Sequence, residues 1–178
     1  MIVYRHVDPR FPFLWETADQ PPARWHAEGE GPFHYFSSTP DAAWAEFLRH
    51  EEITDPADLA GVERALWAVD LAALPTARPR LTRAVVSGGV ETYPACRTEA
   101  QRLRARGADG FIAPSAAVDA RTPSGFRTDH GLRRGRRRRE AVIVLFGRRP
   151  DLIGWAACDT GRPRADLLTR VRPLLPRG

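Results

Sequence analysis

The chain has 178 residues, of which 43% are hydrophobic, and a formal net charge of +5. This length suits one buried core and is short for two, so we expect a single domain over residues 1–178. The sequence contains no apolar run long enough to cross a bilayer and no apolar secretory segment near residue 1, so we expect a cytoplasmic protein with no membrane contact.

All 27 basic residues are arginine, a bias that a GC-rich genome explains, and six of them lie in residues 133–139, RRGRRRR. A charge block of this kind either forms a solvated, mobile loop or binds nucleic acid or another polyanion by releasing counterions. We expect a flexible, arginine-rich loop over residues 121–139 and consider nucleic acid an unlikely partner.

The first elements predicted are two strands separated by an extended loop. Residues 1–4 form the first strand, and a stretch rich in proline and aromatic residues follows it. Its side chains Phe11, Phe13 and Trp15 are expected to pack onto the core. Residues 33–36 form the second strand.

A helix is then predicted from Pro40 to about residue 51. Thr39 suits the N-cap position, proline suits the first helical position, and Asp41 is favourable in the positively polarised first turn. Helical spacing places four apolar side chains on one buried stripe: Ala43, Trp44, Phe47 and Leu48. Glu46 lies off this stripe, near Arg49 and His50.

In the middle of the chain, the hydrophobic pattern predicts a short helical turn within residues 53–61, a strand over 63–71 and a further strand over 81–86. Residues 98–106 form an amphipathic helix that ends at Gly107.

In the last third of the chain, the hydrophobic pattern predicts a strand leading into a loop over 110–116. The apolar run 141–147 predicts a central strand that is covered on both faces of the sheet. A strand over 153–157 and a terminal helix over 165–175 follow. Strands and helices alternate without a regular βαβ rhythm, which favours the α+β class.

Two candidate ligand contacts flank the second strand. Arg24 precedes a flexible turn, where a guanidinium can bind a pyrophosphate bidentately or form an ordinary surface ion pair. Tyr35 is either a buried structural residue or a cleft residue, whose ring can stack on a ligand and whose hydroxyl can bond a ribose or phosphate.

Two further candidates are Glu46 and Ser115. Glu46 either solvates the polar face of its helix or serves as a carboxylate in a site. Ser115 lies outside a GxSxG elbow and has no adjacent histidine, so we do not interpret it as a nucleophile. It bonds its own backbone or donates to a phosphate or ribose.

The sequence indicates neither a metal nor a bound cofactor. The histidines lack HExxH or a comparable ligand spacing, and no GxGxxG or GxxxxGK[ST] loop occurs. Cys96 and Cys158 are too isolated for a disulfide framework or paired metal ligands, and we expect inert thiols.

Three segments resemble the RES domain family, named for its Arg, Glu and Ser. They are ARW with the turn GEGP, the run FHYFSSTPDAAWAEFLRH, and GADGFIAPSA. The family consists of NAD-consuming toxins of bacterial toxin–antitoxin pairs and is related in fold to ADP-ribosyltransferases. The resemblance therefore implies a mixed, split β-sheet core flanked by helices.

The resemblance also implies roles for the four candidates, with NAD+ as substrate. Arg24 would hold the pyrophosphate and act in catalysis, Tyr35 would stack on the nicotinamide, and Ser115 would seat the nicotinamide mononucleotide half. Because nicotinamide leaves NAD+ as a neutral base, no general acid is required. Glu46 would then be catalytic by stabilising the positive charge that develops on the ribose.

These implications give one leading function and two alternatives. We expect an NAD-degrading toxin that uses water or phosphate as acceptor and pairs with a helix-turn-helix (Xre-type) antitoxin. Family members often self-associate, but the sequence leaves the choice between a monomer and a homo-oligomer open. The first alternative is an ADP-ribosyltransferase acting on a protein or nucleic acid. The second is a polyanion-binding module that uses residues 133–139.

Two positions depart from the family pattern. Ala23 stands where a glycine commonly precedes the first arginine, and Val142 stands where an asparagine often begins the late strand. If that asparagine contacts the dinucleotide in relatives, dinucleotide binding in this chain is weaker or arranged differently.

Overall fold

The fold is described by a computed structural model over residues 1–119 and 124–174. Its strands are β1 (Ile2–Val7), β2 (Phe33–Ser37), β3 (Arg64–Asp70), β4 (Gly110–Pro114), β5 (Phe126–Thr128), β6 (Leu132–Arg134), β7 (Ala141–Phe146) and β8 (Ile153–Gly161). The α-helices are α1 (Pro40–His50), α2 (Arg83–Ser87) and α3 (Tyr93–Ala105). Short 3₁₀ helices occupy Pro56–Gly61, Val90–Thr92 and Ala165–Arg170.

Six strands form one sheet in the order β4-β7-β2-β1-β3-β8, and β5 pairs with β6 in a separate hairpin. Strands β1 and β2 meet at a single register pair, Tyr4 opposite Ser37, whereas β1 pairs with β3 over six positions. The sheet is therefore split into two three-stranded halves. This confirms the α+β class and the split core.

The strand directions correct one part of the expectation. Every pairing in both sheets is antiparallel within the described residues, so the sheet is not mixed. An antiparallel sheet tolerates a solvent-facing side, and β8 at the edge is accordingly exposed along most of its length.

Both halves of the sheet carry helices on the same face. Tyr4 lies opposite Ser37, and Tyr35 is two residues before Ser37, so these side chains share a face. Tyr4 packs in the cluster under α1, and Tyr35 packs against the cluster that includes residues of α3. The opposite face, with Val3 and Phe36, is covered by a loop that contributes Phe13 and Leu14.

Helix α1 forms as its sequence predicts. The Thr39 hydroxyl accepts a hydrogen bond from the Ala42 amide at 3.1 Å, and the four expected apolar side chains are buried. The same hydroxyl donates to the Glu140 carboxylate at 3.0 Å, and Glu140 leads directly into β7. The cap therefore fixes the start of α1 to β7, an inner strand of the sheet.

Several other elements differ from their sequence prediction. Residues 81–86 do not form a strand, because the Thr82 hydroxyl caps α2 instead by accepting from the Val85 amide at 3.4 Å. Helix α3 begins five residues earlier than expected, since Pro94 lies in its first turn.

The C-terminal third contains further differences. Part of the loop expected over 121–139 forms the β5–β6 hairpin, while residues 121–123 lie outside the described residues. Strand β8 continues past residue 157, and only a short 3₁₀ helix forms where residues 165–175 predicted a longer one. Residue 175 lies outside the described residues.

The described residues contain no helix that is both long and apolar enough to span a bilayer.

Candidate active site

A cavity of about 280 Å³ opens where the two halves of the sheet meet. This volume is close to the lower end of the roughly 300–1,000 Å³ that is usual for ligand pockets. Tyr4 and Tyr35 line the cavity from the helical face. Arg5 and Phe36 point to the opposite face of the sheet from the two tyrosines, because side chains alternate along a strand. Arg5 and Phe36 nevertheless line the cavity as well, because β1 and β2 diverge beyond the single register pair that joins them.

Glu46 projects from α1 into this cavity and is half-buried. The hydroxyl of Ser115 donates a hydrogen bond to its Oε1 atom at 2.8 Å. Ser115 is buried, follows β4 directly, and also accepts from the Ala117 amide at 3.2 Å. These contacts fix the orientation of the carboxylate, so Glu46 does not simply solvate the polar face of its helix.

Arg24 is a buried cavity residue rather than one half of a surface ion pair. Its Nη2 atom donates to the Gly88 carbonyl at 2.7 Å, and its Nη1 atom donates to Thr92 Oγ1 at 3.1 Å. The guanidinium carbon lies 4.7 Å from the centre of the Tyr93 ring, within reach of a cation–π interaction. Arg24 therefore secures the segment between α2 and α3 while it lines the cavity.

Tyr35 lies between core and cavity, so both of its expected environments are present. Its ring packs against the cluster around Phe33, and its side chain also lines the cavity. The hydroxyl oxygen is 2.7 Å from His26 Nδ1. Burial raises the pKa of Tyr35 and lowers that of His26, so at neutral pH the phenol is protonated and the imidazole uncharged.

Two further arginines line the same cavity, Arg5 and Arg49, and neither stands out as a site residue in the sequence. Arg49 donates from Nη2 to the Gly88 carbonyl at 2.7 Å, the same oxygen that accepts from Arg24. Burial, and then the charge of Arg24, lower the pKa of Arg49, whereas Glu46 raises it. The helical spacing of Glu46, Arg49 and His50 was the available signal, because it places all three on one face of α1.

Burial also acts on two groups of β1 at the cavity floor. It lowers the pKa of Arg5 to about 10, which leaves the guanidinium charged at neutral pH. Burial is the main cause that lowers the pKa of His6 to about 3, and the charges of Arg64 and Arg5 add to it. His6 is therefore uncharged near neutrality.

The four residues singled out from the sequence thus come together. Arg24, Tyr35 and Glu46 line one cavity, and Ser115 reaches it through Glu46, with its neighbours Pro114 and Ala116 in the wall. The two departures from the family pattern, Ala23 and Val142, are also cavity-lining residues.

No group of three or more His, Cys, Asp or Glu suited to a metal ion occurs within residues 1–119 and 124–174.

Comparison with known proteins supports the resemblance seen in the sequence. The RES domain family matches residues 2–153, so the chain belongs to the RES domain family. The fold is similar to a solved structure described as the crystal structure of the M. tuberculosis MbcT–MbcA toxin–antitoxin complex. That likeness has a TM-score of 0.61 at 15% sequence identity and covers 94% of this chain and 86% of the other. No curated protein matches the chain.

Proposed function

We propose that this protein is a toxin that cleaves the nicotinamide–ribose bond of NAD+. The observation that carries the proposal is the Glu46 carboxylate, which Ser115 orients inside a cavity shared with Arg24 and Tyr35. Membership of the RES domain family and the fold shared with a toxin–antitoxin complex support it.

The chemistry needs one well-placed carboxylate. Nicotinamide leaves as a neutral molecule, and positive charge develops on the ribose as the bond lengthens. Glu46 stabilises that charge through the oxygen that does not accept from Ser115. Because the carboxylate is already held in place, it needs little reorganisation during the reaction.

The neighbouring groups bind and orient the substrate. The protonated Tyr35 presents its ring as a wall for the nicotinamide and its hydroxyl as a hydrogen-bonding group. The Arg24 guanidinium supplies positive charge for the diphosphate. Ser115 seats the nicotinamide mononucleotide half indirectly, by fixing the acid that faces the ribose.

The acceptor of the ADP-ribose group is water or phosphate in this proposal. Transfer to a protein or nucleic acid would use the same cavity and the same acid. Product analysis separates the three reactions. Hydrolysis releases ADP-ribose, phosphorolysis releases ADP-ribose 1″-phosphate, and transfer leaves an ADP-ribosylated macromolecule.

Nicotinamide release from NAD+ by the purified protein tests the proposal. We expect wild-type protein to release nicotinamide and Glu46→Gln to be slower by about 10²–10³-fold, the usual cost of removing a preorganised electrostatic group. Glu52→Gln is the matched control, because Glu52 is exposed just beyond the end of α1. Equal rates for wild type and Glu46→Gln would refute the assignment.

We also propose that an antitoxin protein of the helix-turn-helix type blocks this cavity. The solved structure that shares the fold is a toxin bound to its antitoxin. Expression of the chain alone should arrest bacterial growth, and co-expression of the partner should restore it. Growth unaffected by an active chain would contradict the toxic role.

A further inference from the structure

Three guanidinium groups line the cavity, from Arg5, Arg24 and Arg49. Glu46 is the one acidic side chain in the described lining, and its Oε1 atom already accepts from Ser115. No ion pair between any of these arginines and a carboxylate occurs in the described part of the chain. The cavity thus holds an excess of positive charge, and buried charges are normally paired.

The three arginines differ in how their N–H groups are used. Arg24 directs its terminal nitrogens to Gly88, Thr92 and the Val85 carbonyl. Arg49 donates from Nη2 to the Ser87 and Gly88 carbonyls, but its Nε atom is buried without a partner. The Nη1 atom of Arg5 is likewise buried without a partner.

Such buried donors call for an acceptor, because buried N–H groups in folded proteins are nearly always hydrogen-bonded. Arg49 is only 4% exposed, so bulk water does not readily serve it. Arg5 approaches from β1 at the floor and Arg49 from the last turn of α1, and both line the same cavity. An anion with several oxygen atoms, placed in the cavity between the two guanidinium groups, would pair with their charge and accept hydrogen bonds from their N–H groups.

We infer that Arg5 and Arg49 form the diphosphate-binding pair of this cavity and donate directly to the phosphate oxygens of the dinucleotide. Arg24 then contributes charge and holds the Gly88 carbonyl that it shares with Arg49. The inference rests on the proposed function in one respect, that the dinucleotide is NAD+. It moves the direct phosphate contact away from Arg24, where the sequence placed it.

Two substrates separate this inference from the proposed function. NAD+ and nicotinamide riboside contain the same nicotinamide–ribose bond, but only NAD+ carries the diphosphate. We expect Arg5→Gln and Arg49→Gln each to raise KM for NAD+ by about tenfold or more, with a smaller change in kcat. Turnover of nicotinamide riboside should stay within about twofold of wild type.

The matched control is Arg106→Gln, because Arg106 is exposed at the end of α3. This variant should leave KM for both substrates unchanged. An unchanged KM for NAD+ in the Arg5 and Arg49 variants, or an equal loss with both substrates, would overturn the diphosphate assignment while the cleavage activity stands.

A measurement on wild-type protein does not depend on the variants folding. Inorganic pyrophosphate should inhibit NAD+ cleavage competitively and raise the melting temperature, whereas adenosine at the same concentration should do neither. If wild type binds pyrophosphate and ADP-ribose but releases no nicotinamide, the proposed function fails and the anion site remains. Absence of pyrophosphate binding overturns the site.

Discussion

At the scale of single residues, the contact between Ser115 and Glu46 decides how the acid is presented. The serine hydroxyl donates to Oε1 and accepts from the Ala117 amide, so it ties α1 to the segment after β4. Removing it would free the carboxylate to rotate and leave the Ala117 amide without this partner. The contact joins residues 69 positions apart.

Ser115→Ala is therefore expected to lower kcat for NAD+ cleavage by about tenfold, because a misoriented carboxylate stabilises the ribose cation less well. KM should change less than kcat. Steady-state kinetics of nicotinamide release checks both numbers. Thr98→Ala, which removes an exposed hydroxyl on α3, is the control and should match wild type, and a normal kcat in Ser115→Ala would argue against the orienting role.

The residues of the candidate site stand out at this scale, since Arg24, Tyr35, Glu46 and Ser115 lie in short segments with distinctive spacing, and the structure brings them together. The buried state of Arg24 was not predictable, because nothing local shows that Gly88 and Thr92 would accept its hydrogen bonds. Those partners lie more than 60 positions away. Only the folded chain brings them to the guanidinium.

At the scale of elements, α1 illustrates when local signals suffice. Thr39, Pro40 and Asp41 define its start, and its apolar stripe is buried as predicted. In residues 81–86 local signals do not suffice, because a short apolar run suits a strand as well as a helix. There the Thr82 cap decides for α2.

The β5–β6 hairpin is another element that the local sequence pattern did not predict. Its strands have only three residues each and are exposed throughout. Arg127 lies opposite Arg133, so charge repulsion disfavours the pairing that the structure contains. The Arg134 side chain compensates by pairing with Asp166 and by lying over the Phe126 ring at 4.9 Å.

Thr39→Ala should destabilise the protein by about 1–2 kcal/mol, because it removes the α1 N-cap and one donor to the buried Glu140 carboxylate. Urea unfolding at pH 7 measures the change. Asp55→Ala removes the cap of an exposed 3₁₀ helix and should cost less. Equal losses would mean that the contact with Glu140 adds nothing.

At the scale of the whole molecule, the split in the sheet creates the cavity of the candidate site. One register pair joins the halves, so the strands diverge and leave a cavity that is lined by α1 on one side and by Tyr93, at the start of α3, on the other. The α+β class followed from the order of elements along the chain. The antiparallel directions and the position of the split depend on contacts between distant segments, which no local pattern encodes.

Acid sensitivity is a second property of the whole molecule. Burial lowers the pKa of His6 to about 3 and that of His34 to about 4, and it also lowers the pKa of His26. An unfolded histidine titrates near 6.5, so below that pH the unfolded chain binds more protons and stability falls. The loss begins near pH 6.5 and continues down to the folded pKa values.

At pH 5, His6 and His34 should each cost up to about 2 kcal/mol relative to neutral pH. Urea unfolding at pH 7, 6 and 5 measures this loss. His34→Gln, in which the amide can still donate to the Gly147 carbonyl, should reduce the dependence on pH. His130→Asn, at an exposed turn position with φ of 48°, should not. A stability that stays flat from pH 7 to 5 would contradict the account.

The central claim is spatial, and a crystal structure of Glu46→Gln with NAD+ tests it most directly. The variant should bind NAD+ without cleaving it appreciably during the experiment. We predict that the nicotinamide ribose lies against residue 46, with the nicotinamide beside Tyr35. NAD+ bound elsewhere, or a nicotinamide ribose turned away from residue 46, would contradict the proposal.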